Sequence, residues 1–582
     1  MPSPHDHGRT NSSRRGVDDP SRGRSGAESD AFLAFLVSLM TLTAFLALFV
    51  FRAFDDNRLT SWQWAFAGVD VGTVFLILLT AVSLAYPVSR LSLPVRSHAA
   101  LLFVASFVIA AIFWRVPEVN VDAAKYFAQA KHLELHGVGS FLRQWGREIT
   151  AWTVLPLVPF LHGLIFSVVG ETRAAIQVFT TLLFSGTVVL TYLIGKALWD
   201  EKVGGYGAAL LVAMPYLLTQ VPLMLVDVPS MFFLTLAVFA TIGAVRRGGA
   251  GRLALASLAI ALAALAKYST WLMLSVLPVI VLCHLGHGRT AVLRRAGLLA
   301  LGAALLAGAV VFMKFDVVAE QLRMLQSYQL PGLRRWGESH ASTFLFQTHP
   351  FIAAAALYSV LVAVRKRDLR YVIVGWMLLL LVVVLEVERS RYVLVAFPML
   401  ALMAGYGLAG MRNARISKHV VSCTVASMLV TAIFVYLPFL QGTSAVNIQR
   451  AGAYLDSIDT EMVEVVTLPQ PRSRVNPSVA VPILDIFTRQ RIAYHHDMTL
   501  APRRQATETS PVRFTWEIDL STYPAAGTGP PPGAVVVITG EQNPTLPEAL
   551  ARRIADYRLA REFGETDRVF RYKTMVRVYR PL

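Results

Sequence analysis

Residues 203–245 read VGGYGAALLVAMPYLLTQVPLMLVDVPSMFFLTLAVFATIGAV, and Asp227 is the single formally charged residue in that stretch. Two apolar runs, 203–221 and 229–245, flank a short turn around Asp227 set between Pro222 and Pro229. A bilayer core is crossed by about 20 consecutive apolar residues, so each run is of membrane-span length. Arg246, Arg247 and Arg252 follow directly. Two spans joined by an acidic turn and closed by a basic loop place Asp227 on the outer side and the arginines on the cytoplasmic side.

The same pattern extends over most of the chain. Of its 582 residues 55% are hydrophobic and 16% charged, and the mean hydropathy is +0.53. Soluble domains hold roughly 45–50% apolar and about 25% charged residues, so an ordinary soluble enzyme is excluded. Apolar runs occur at 31–51, 65–86, 99–114, 173–198, 203–221, 229–245, 253–266, 269–286, 296–315, 350–364, 371–387, 391–411 and 419–440, an expectation of thirteen spans. A further stretch, AWTVLPLVPFLHGLIFSVVG at 151–170, contains two prolines and His162. Counting it as a span would invert the charge pattern of everything after it, so it is read as interfacial or half-inserted. Residues 1–30 have the composition of a disordered cytoplasmic tail. The first apolar run starts late and lacks a small-residue cleavage site, so it is expected to stay as a helix rather than be removed as a signal.

The formal charge of +17 is a topology signal in such a chain, and no nucleic-acid partner is inferred from it. With the N-terminus cytoplasmic, most inner loops are basic, and three features face outward: loops 115–172 and 316–349, and a tail from 441 to 582. The expected location is the cell membrane, with the transmembrane body spanning 31–440. The tail mixes a helix near 447–455, strands at 462–468 and 535–540, a Pro/Gly loop at 521–533, a helix over 547–563 and a last strand near 574–579. It reads as a small extracytoplasmic α/β domain. His495, His496 and Asp497 there are either a metal site or a solvated loop. Cys283 and Cys423 lie in apolar runs at no metal or redox spacing.

Within the apolar runs Asp70 is the main ionisable residue, which argues against an ion relay through the bilayer. Asp122, Arg147, Asp227, Lys267, Lys314, Glu386, Arg389 and Arg391 instead fall at outer helix ends or in outer loops, and are expected to ring one cavity. Asp122 opens NVDAAKYFAQAKHLELHG, whose Tyr126, Phe127, Ala130 and Leu133 form a helical apolar face. Its carboxylate is either a helix cap or a general base on a hydroxyl. Asp227 offers the same choice of cap or site residue. Lys267, in ALAALAKYSTW, either snorkels to water or binds an anion. Arg389 and Arg391, in VERSRYVLVAFP, are either interface anchors or a phosphate clamp.

These pieces together resemble the GT-C class of integral-membrane glycosyltransferases, in the branch of protein O-mannosyltransferases and lipid A aminoarabinose transferases. The similar segments occur in family order: VDAAKYFAQA, FSVVGETRAA, LIGKALWDEKVGGYGAALLVAMPY, LMLVDVPSMFF, LAALAKYSTW and RSRYVLVAFPMLALMAGYGLA, spanning about residues 99–410. The resemblance implies a polytopic α-helical, GT-C-like membrane protein with the C-terminal α/β domain outside. It implies a polyprenyl-phosphate-linked sugar as donor and a protein, lipid or glycan as extracytoplasmic acceptor, with inversion at the sugar. Asp122 would be the base and Asp227 would orient acceptor or sugar. Lys267, Arg389, Arg391 and Arg147 would face the donor phosphate, and Tyr126, Tyr268 and Tyr392 would line the substrate. Some relatives use a divalent metal, but no acidic cluster here points to one. The chain departs from the family where many relatives have Asp-Glu and it has Asp122-Ala123, where a Lys-Pro motif gives way to Arg147 and Glu148, and in having three spans before Asp122. The rival readings are a transporter or flippase of a lipid-linked substrate and an inactive sugar-lipid-binding scaffold.

Overall fold

The computed structural model describes residues 20–90, 97–333, 337–495, 510–527 and 531–582. Among them, eight helices are long and apolar enough to cross a membrane: Ser29–Val50, Val71–Arg90, His98–Arg115, Arg173–Leu198, Asp227–Arg247, Arg289–Met313, Ser390–Ala409 and Ala414–Gln441. Shorter apolar helices cover Leu157–Val169, Ala250–Ala266, Tyr268–His284 and Tyr371–Val384. The thirteen apolar runs are all largely helical, but several are interrupted. The run at 203–221 breaks at Met214, before Pro215, because a residue preceding proline is pushed out of the helical region. Lys267, with extended backbone, separates the helix ending at Ala266 from the one starting at Tyr268. The first helix, α1 (Pro20–Val50), already begins within the tail expected to be disordered, and residues 1–19 lie outside the described residues.

The helices that place the site are α2 (Asp122–Gln144), α3 (Leu157–Val169), α4 (Arg173–Leu198), α5 (Glu201–Ala213), α6 (Asp227–Arg247), α7 (Ala250–Ala266) and α8 (Phe397–Ala409). Glycines bring α4, α5 and α8 to backbone contact. A Cβ added to Gly195 would lie 2.5 Å from the Cα of Gly204, and one added to Gly405 would lie 2.8 Å from the nitrogen of Gly207. Such small-residue contacts drive helix association in lipid, where burying apolar area gives no advantage, so GKALWDEKVGGYGAA is a packing motif. Helix α2 is kinked at Gly137, whose φ of 77° only glycine adopts readily. Before the kink it is buried on several sides rather than along one interfacial stripe. Phe127 packs on Phe166 of α3 with ring centroids 5.6 Å apart, and Ala124 belongs to the core of the C-terminal domain.

That domain is built on a five-stranded mixed sheet of β1 (Met462–Thr467), β2 (Arg491–Tyr494), β3 (Ala534–Thr539), β4 (Tyr557–Phe563) and β5 (Met575–Pro581), in the order β2-β1-β3-β5-β4. β1 runs parallel to β2 and β3, and β5 is antiparallel to β3 and β4. The helix expected over 547–563 is corrected to a short one, Glu548–Arg553, followed by β4. YRLAREF satisfies its backbone along the edge of β5, and that pairing outweighs a helical pattern too short to bury a face of its own. The four-residue β2 had no counterpart in the sequence reading.

The loop of residues 52–64 between the first two spans is tied to distant parts of the chain. The buried Asp55 carboxylate accepts from Trp62 N at 2.7 Å, Ser342 Oγ at 2.6 Å and Gln347 Nε2 at 2.9 Å. Burial pushes its carboxyl up to about 6, against these hydrogen bonds. Asn57 Nδ2 donates to Ser390 Oγ at 3.1 Å, so the N-terminal hairpin braces the residue between Arg389 and Arg391.

Candidate active site

Asp122 and Asp227 are each the first residue of a helix, and neither side chain caps its own helix. The contrast is with Asp200, which accepts from Val203 N at 2.8 Å, and Asp70, which accepts from Gly72 N at 3.0 Å and is thereby accounted for as a cap. The two uncapping carboxylates turn toward each other through Arg391. Its Nη1 lies 2.5 Å from Asp122 Oδ2 and its Nε 2.9 Å from Asp227 Oδ2. Lys267 Nζ is 2.7 Å from Asp227 Oδ1, and Lys125 Nζ is 3.5 Å from Asp122 Oδ1. Two carboxylates therefore meet three cations, leaving one positive charge in excess at a site where Asp227 is 3% and Arg391 8% exposed.

The surrounding residues hold this arrangement. Glu338, from the 316–349 loop, accepts from Ser390 N at 2.8 Å and lies 3.7 Å from Arg389 Nε. Arg389 Nη1 donates to the Tyr392 hydroxyl at 3.3 Å, and Lys267 lies 5.3 Å from the centroid of the same ring. Glu118 is buried, pairs with Arg173 and accepts from Met224 N at 3.2 Å, fixing the approach to Asp227. Burial alone would raise the Asp122 carboxyl, but the guanidinium of Arg391 and the ammonium of Lys125 hold it well below the usual carboxylate range. Burial lowers Lys125, which its carboxylate neighbours offset only in part.

Asp122, Asp227, Lys267 and Arg391 thus form one cluster, joined through Tyr392 to Arg389. Tyr126 lies beside it, its ring centroid 4.8 Å from Lys125 Nζ. The Tyr268 hydroxyl instead donates to Gln321, whose Nε2 donates to Val154 O at 2.9 Å, so this tyrosine serves the glutamine that links the two outer loops. Arg147 is exposed in the turn after α2, outside the cluster; Lys314 donates to Arg143 O at 2.8 Å, and Glu386 is exposed. The expected single ring of eight residues is therefore smaller. Lys125 and Glu338 were missed from sequence. Lys125 was findable, three residues after Asp122 on one helix face; Glu338 carried no local signal.

Among the described residues no group of three or more His, Cys, Asp or Glu is placed to hold a metal ion. Asp122 and Asp227 already face the protein's own cations, so the residues do not fit a divalent metal. In the C-terminal domain His495 pairs with Glu464, which also receives Arg553 at 2.8 Å. These bonds outweigh burial and hold the Glu464 carboxyl down at about 2. His496 and Asp497 lie outside the described residues.

A polytopic helical body whose outer helix ends gather an arginine-bridged carboxylate pair, with a small α/β domain docked on the acidic helix, has the architecture of GT-C-type membrane glycosyltransferases. Residues 154–313 match the family model for dolichyl-phosphate-mannose-protein mannosyltransferases. That segment contains Asp227 and Lys267. The crystal structure of ArnT from Cupriavidus metallidurans bound to undecaprenyl phosphate shares the fold at a TM-score of 0.52, with 11% identity over 83% of this chain and 98% of that one. The archaeal oligosaccharyltransferase AglB from Archaeoglobus fulgidus, in complex with an inhibitory peptide and a dolichol-phosphate, aligns at a TM-score of 0.44, with 12% identity over 76% of this chain and 69% of that one. Among curated proteins none matches the sequence. The resemblance to the GT-C class in its mannosyltransferase and ArnT branch thus stands on the overall fold and the 154–313 segment together.

Proposed function

We propose that the protein transfers a sugar from a polyprenyl-phosphate-linked donor to a hydroxyl of an extracytoplasmic acceptor, with inversion at the anomeric carbon. The observation that carries this reading is the excess positive charge of the Asp122, Asp227, Lys125, Lys267 and Arg391 cluster, which a lipid phosphate would offset. The undecaprenyl phosphate held by the Cupriavidus metallidurans structure supports a donor of this chemistry. The basic loops support an orientation with the N-terminus cytoplasmic and the cluster outside, in the cell membrane.

In the reaction the acceptor oxygen forms a bond to the anomeric carbon while the bond from that carbon to the phosphate oxygen breaks. The electron pair leaves on the phosphate and the hydroxyl proton passes to the Asp122 carboxylate. Lys267, Arg391 and Arg389 stabilise the charge that develops on the departing phosphate. Asp227 aligns Lys267 and Arg391 for that task and is a positioning residue. Held between two cations, Asp122 is a weak base. A phosphate that draws Arg391 toward itself removes the strongest influence holding the Asp122 proton affinity down, so donor binding switches the base on.

The test is transfer of label from a panel of radiolabelled polyprenyl-phosphate sugars in membranes containing the wild type or Asp122→Asn, counting protein, lipid and glycan fractions. Label moved by the wild type and lost in the variant is expected. If neither moves label while both carry the lipid-linked sugar across the bilayer, the protein is a transporter.

A further inference from the structure

Between α2 and the C-terminal domain lies a cleft that the phosphate chemistry does not use. Its open part, about 680 Å³, is lined by His132, His136, Gln144, Glu148, Asp519 and Thr522, among others, and polar side chains dominate it. It sits against a narrow recess of about 20 Å³ bounded by Lys125, Gln129, Ile149, Trp152, Phe514 and Thr522. The recess has room for one water-sized group, and the ammonium of Lys125 at its wall is 3.5 Å from Asp122.

Two oxygens buried at this cleft have no protein partner: Gln129 Oε1 and Thr522 Oγ1. Gln129 is only 4% exposed, and its Nε2 is fixed by donation to Thr150 O at 2.8 Å. An unpaired acceptor in such a place is costly to leave unsatisfied, so it is where a ligand donor is most useful. His132 and Ser140 both bond the Gln144 amide oxygen, at 2.5 and 2.6 Å, which fixes the wall opposite.

We propose that this cleft is the acceptor subsite and that it takes a neutral, hydroxyl-rich glycan chain, one hydroxyl of which enters the recess toward Asp122. The inference rests on the glycosyl-transfer reading. Glu148 and Asp519 at the mouth disfavour a phosphorylated lipid headgroup and accept from vicinal hydroxyls. Glu517 is neutralised by Arg513 at 2.7 Å. Trp152 and Phe514, buried with Arg513 and Lys125 over their rings, close the recess, and the volume of the open part falls within the roughly 300–1,000 Å³ of small-molecule sites. Because one wall belongs to the C-terminal domain, that domain selects the acceptor while the membrane body holds the donor.

The experiment measures binding of short neutral manno-, galacto- and arabino-oligosaccharides to the full-length protein in nanodiscs, by ligand-observed NMR, for the wild type, Thr522→Val and Asp519→Asn. Affinity for a polyprenyl phosphate is measured on the same samples and for Arg391→Lys. Binding of at least one oligosaccharide by the wild type, weakened about tenfold in each cleft variant, with polyprenyl phosphate weakened only by Arg391→Lys, is expected. Oligosaccharide binding indifferent to both cleft variants, or binding of a serine-rich peptide or a lipid headgroup in place of any glycan, overturns the glycan assignment and leaves glycosyl transfer standing. No binding of polyprenyl phosphate by the wild type overturns the donor reading itself.

Discussion

Helix α2 carries two buried charge clusters of opposite balance. At its start, Asp122 and Asp227 meet Lys125, Lys267 and Arg391, with one cation in excess. Farther along, Lys131 meets two carboxylates, Glu171 at 2.5 Å and Asp485 at 2.8 Å, with one anion in excess. The second cluster resolves its surplus internally. Burial holds both carboxyls above their usual range, and the charge of Asp485 raises Glu171 further, so the pair can take up a proton to offset the imbalance. At the first cluster the Arg391 guanidinium keeps its proton, and burial bears instead on the Lys125 ammonium, which it holds below its usual range. The first cluster is thus the one that an external anion would suit, whereas the second is a latch between the helix and the C-terminal domain.

Replacing Asp122 by Asn removes the base while leaving the volume, and transfer is expected to fall by about 10²–10⁴-fold. Initial-rate assays with a labelled donor would show this; unchanged rates would mean that Asp122 only balances charge. Arg391→Lys keeps the charge but cannot bridge both aspartates, and a loss of about 10²-fold in kcat/KM for the donor is expected. Equal activity would reduce the cluster to a set of point charges. Lys131→Met should release the C-terminal domain by less than the 3–5 kcal/mol usual for breaking a buried pair, since its two carboxyls can take protons. Limited proteolysis of the domain reads that release, and undiminished protection would mean that apolar contacts alone hold it.

The latch also fixes a pH dependence. A carboxyl raised in the docked state stabilises docking below its ordinary value and loses that contribution as pH climbs through the raised one. Amide protection in the docked face, taken relative to the intrinsic exchange rate at each pH, should therefore fall as pH climbs toward the raised value of about 7, and Glu171→Gln should flatten the profile. The smallest effect is expected for Asn57→Ala, which removes one hydrogen bond to Ser390 and costs about 1 kcal/mol. A severalfold rise in donor KM with kcat little changed would identify it as a brace of the arginine segment.

Helix positions were legible because each apolar run announces itself by length, and the outer carboxylates were legible because a lone charge in such surroundings stands out. Whether Asp122 and Asp227 cap helices or form a site was not, since an aspartate at a helix start looks the same in both cases until its side chain is seen turned to Arg391. Arg147 was assigned to the phosphate because it falls roughly where relatives carry a Lys-Pro motif, yet it sits exposed beside the turn that Lys314 holds. Glu338 and the partners of Asp55 were hidden because their meaning comes from residues hundreds of positions away. The second half of the helix expected over 547–563 failed because β5, which claims that segment, follows it across an intervening loop.

The braced N-terminal hairpin constrains how the molecule is made. Asp55 waits for Gln347, 292 residues later, Asn57 for Ser390, 333 residues later, and Trp62 for Tyr436, 374 residues later. During synthesis the first two spans therefore enter the bilayer with a loop of polar groups whose partners have yet to leave the ribosome. Contacts of such long sequence separation form slowly. The arginine segment is locked from its far side only when nearly the whole membrane body has been inserted, so a chain cut short before Ser390 would present no assembled arginine–aspartate cluster to the lipids around it.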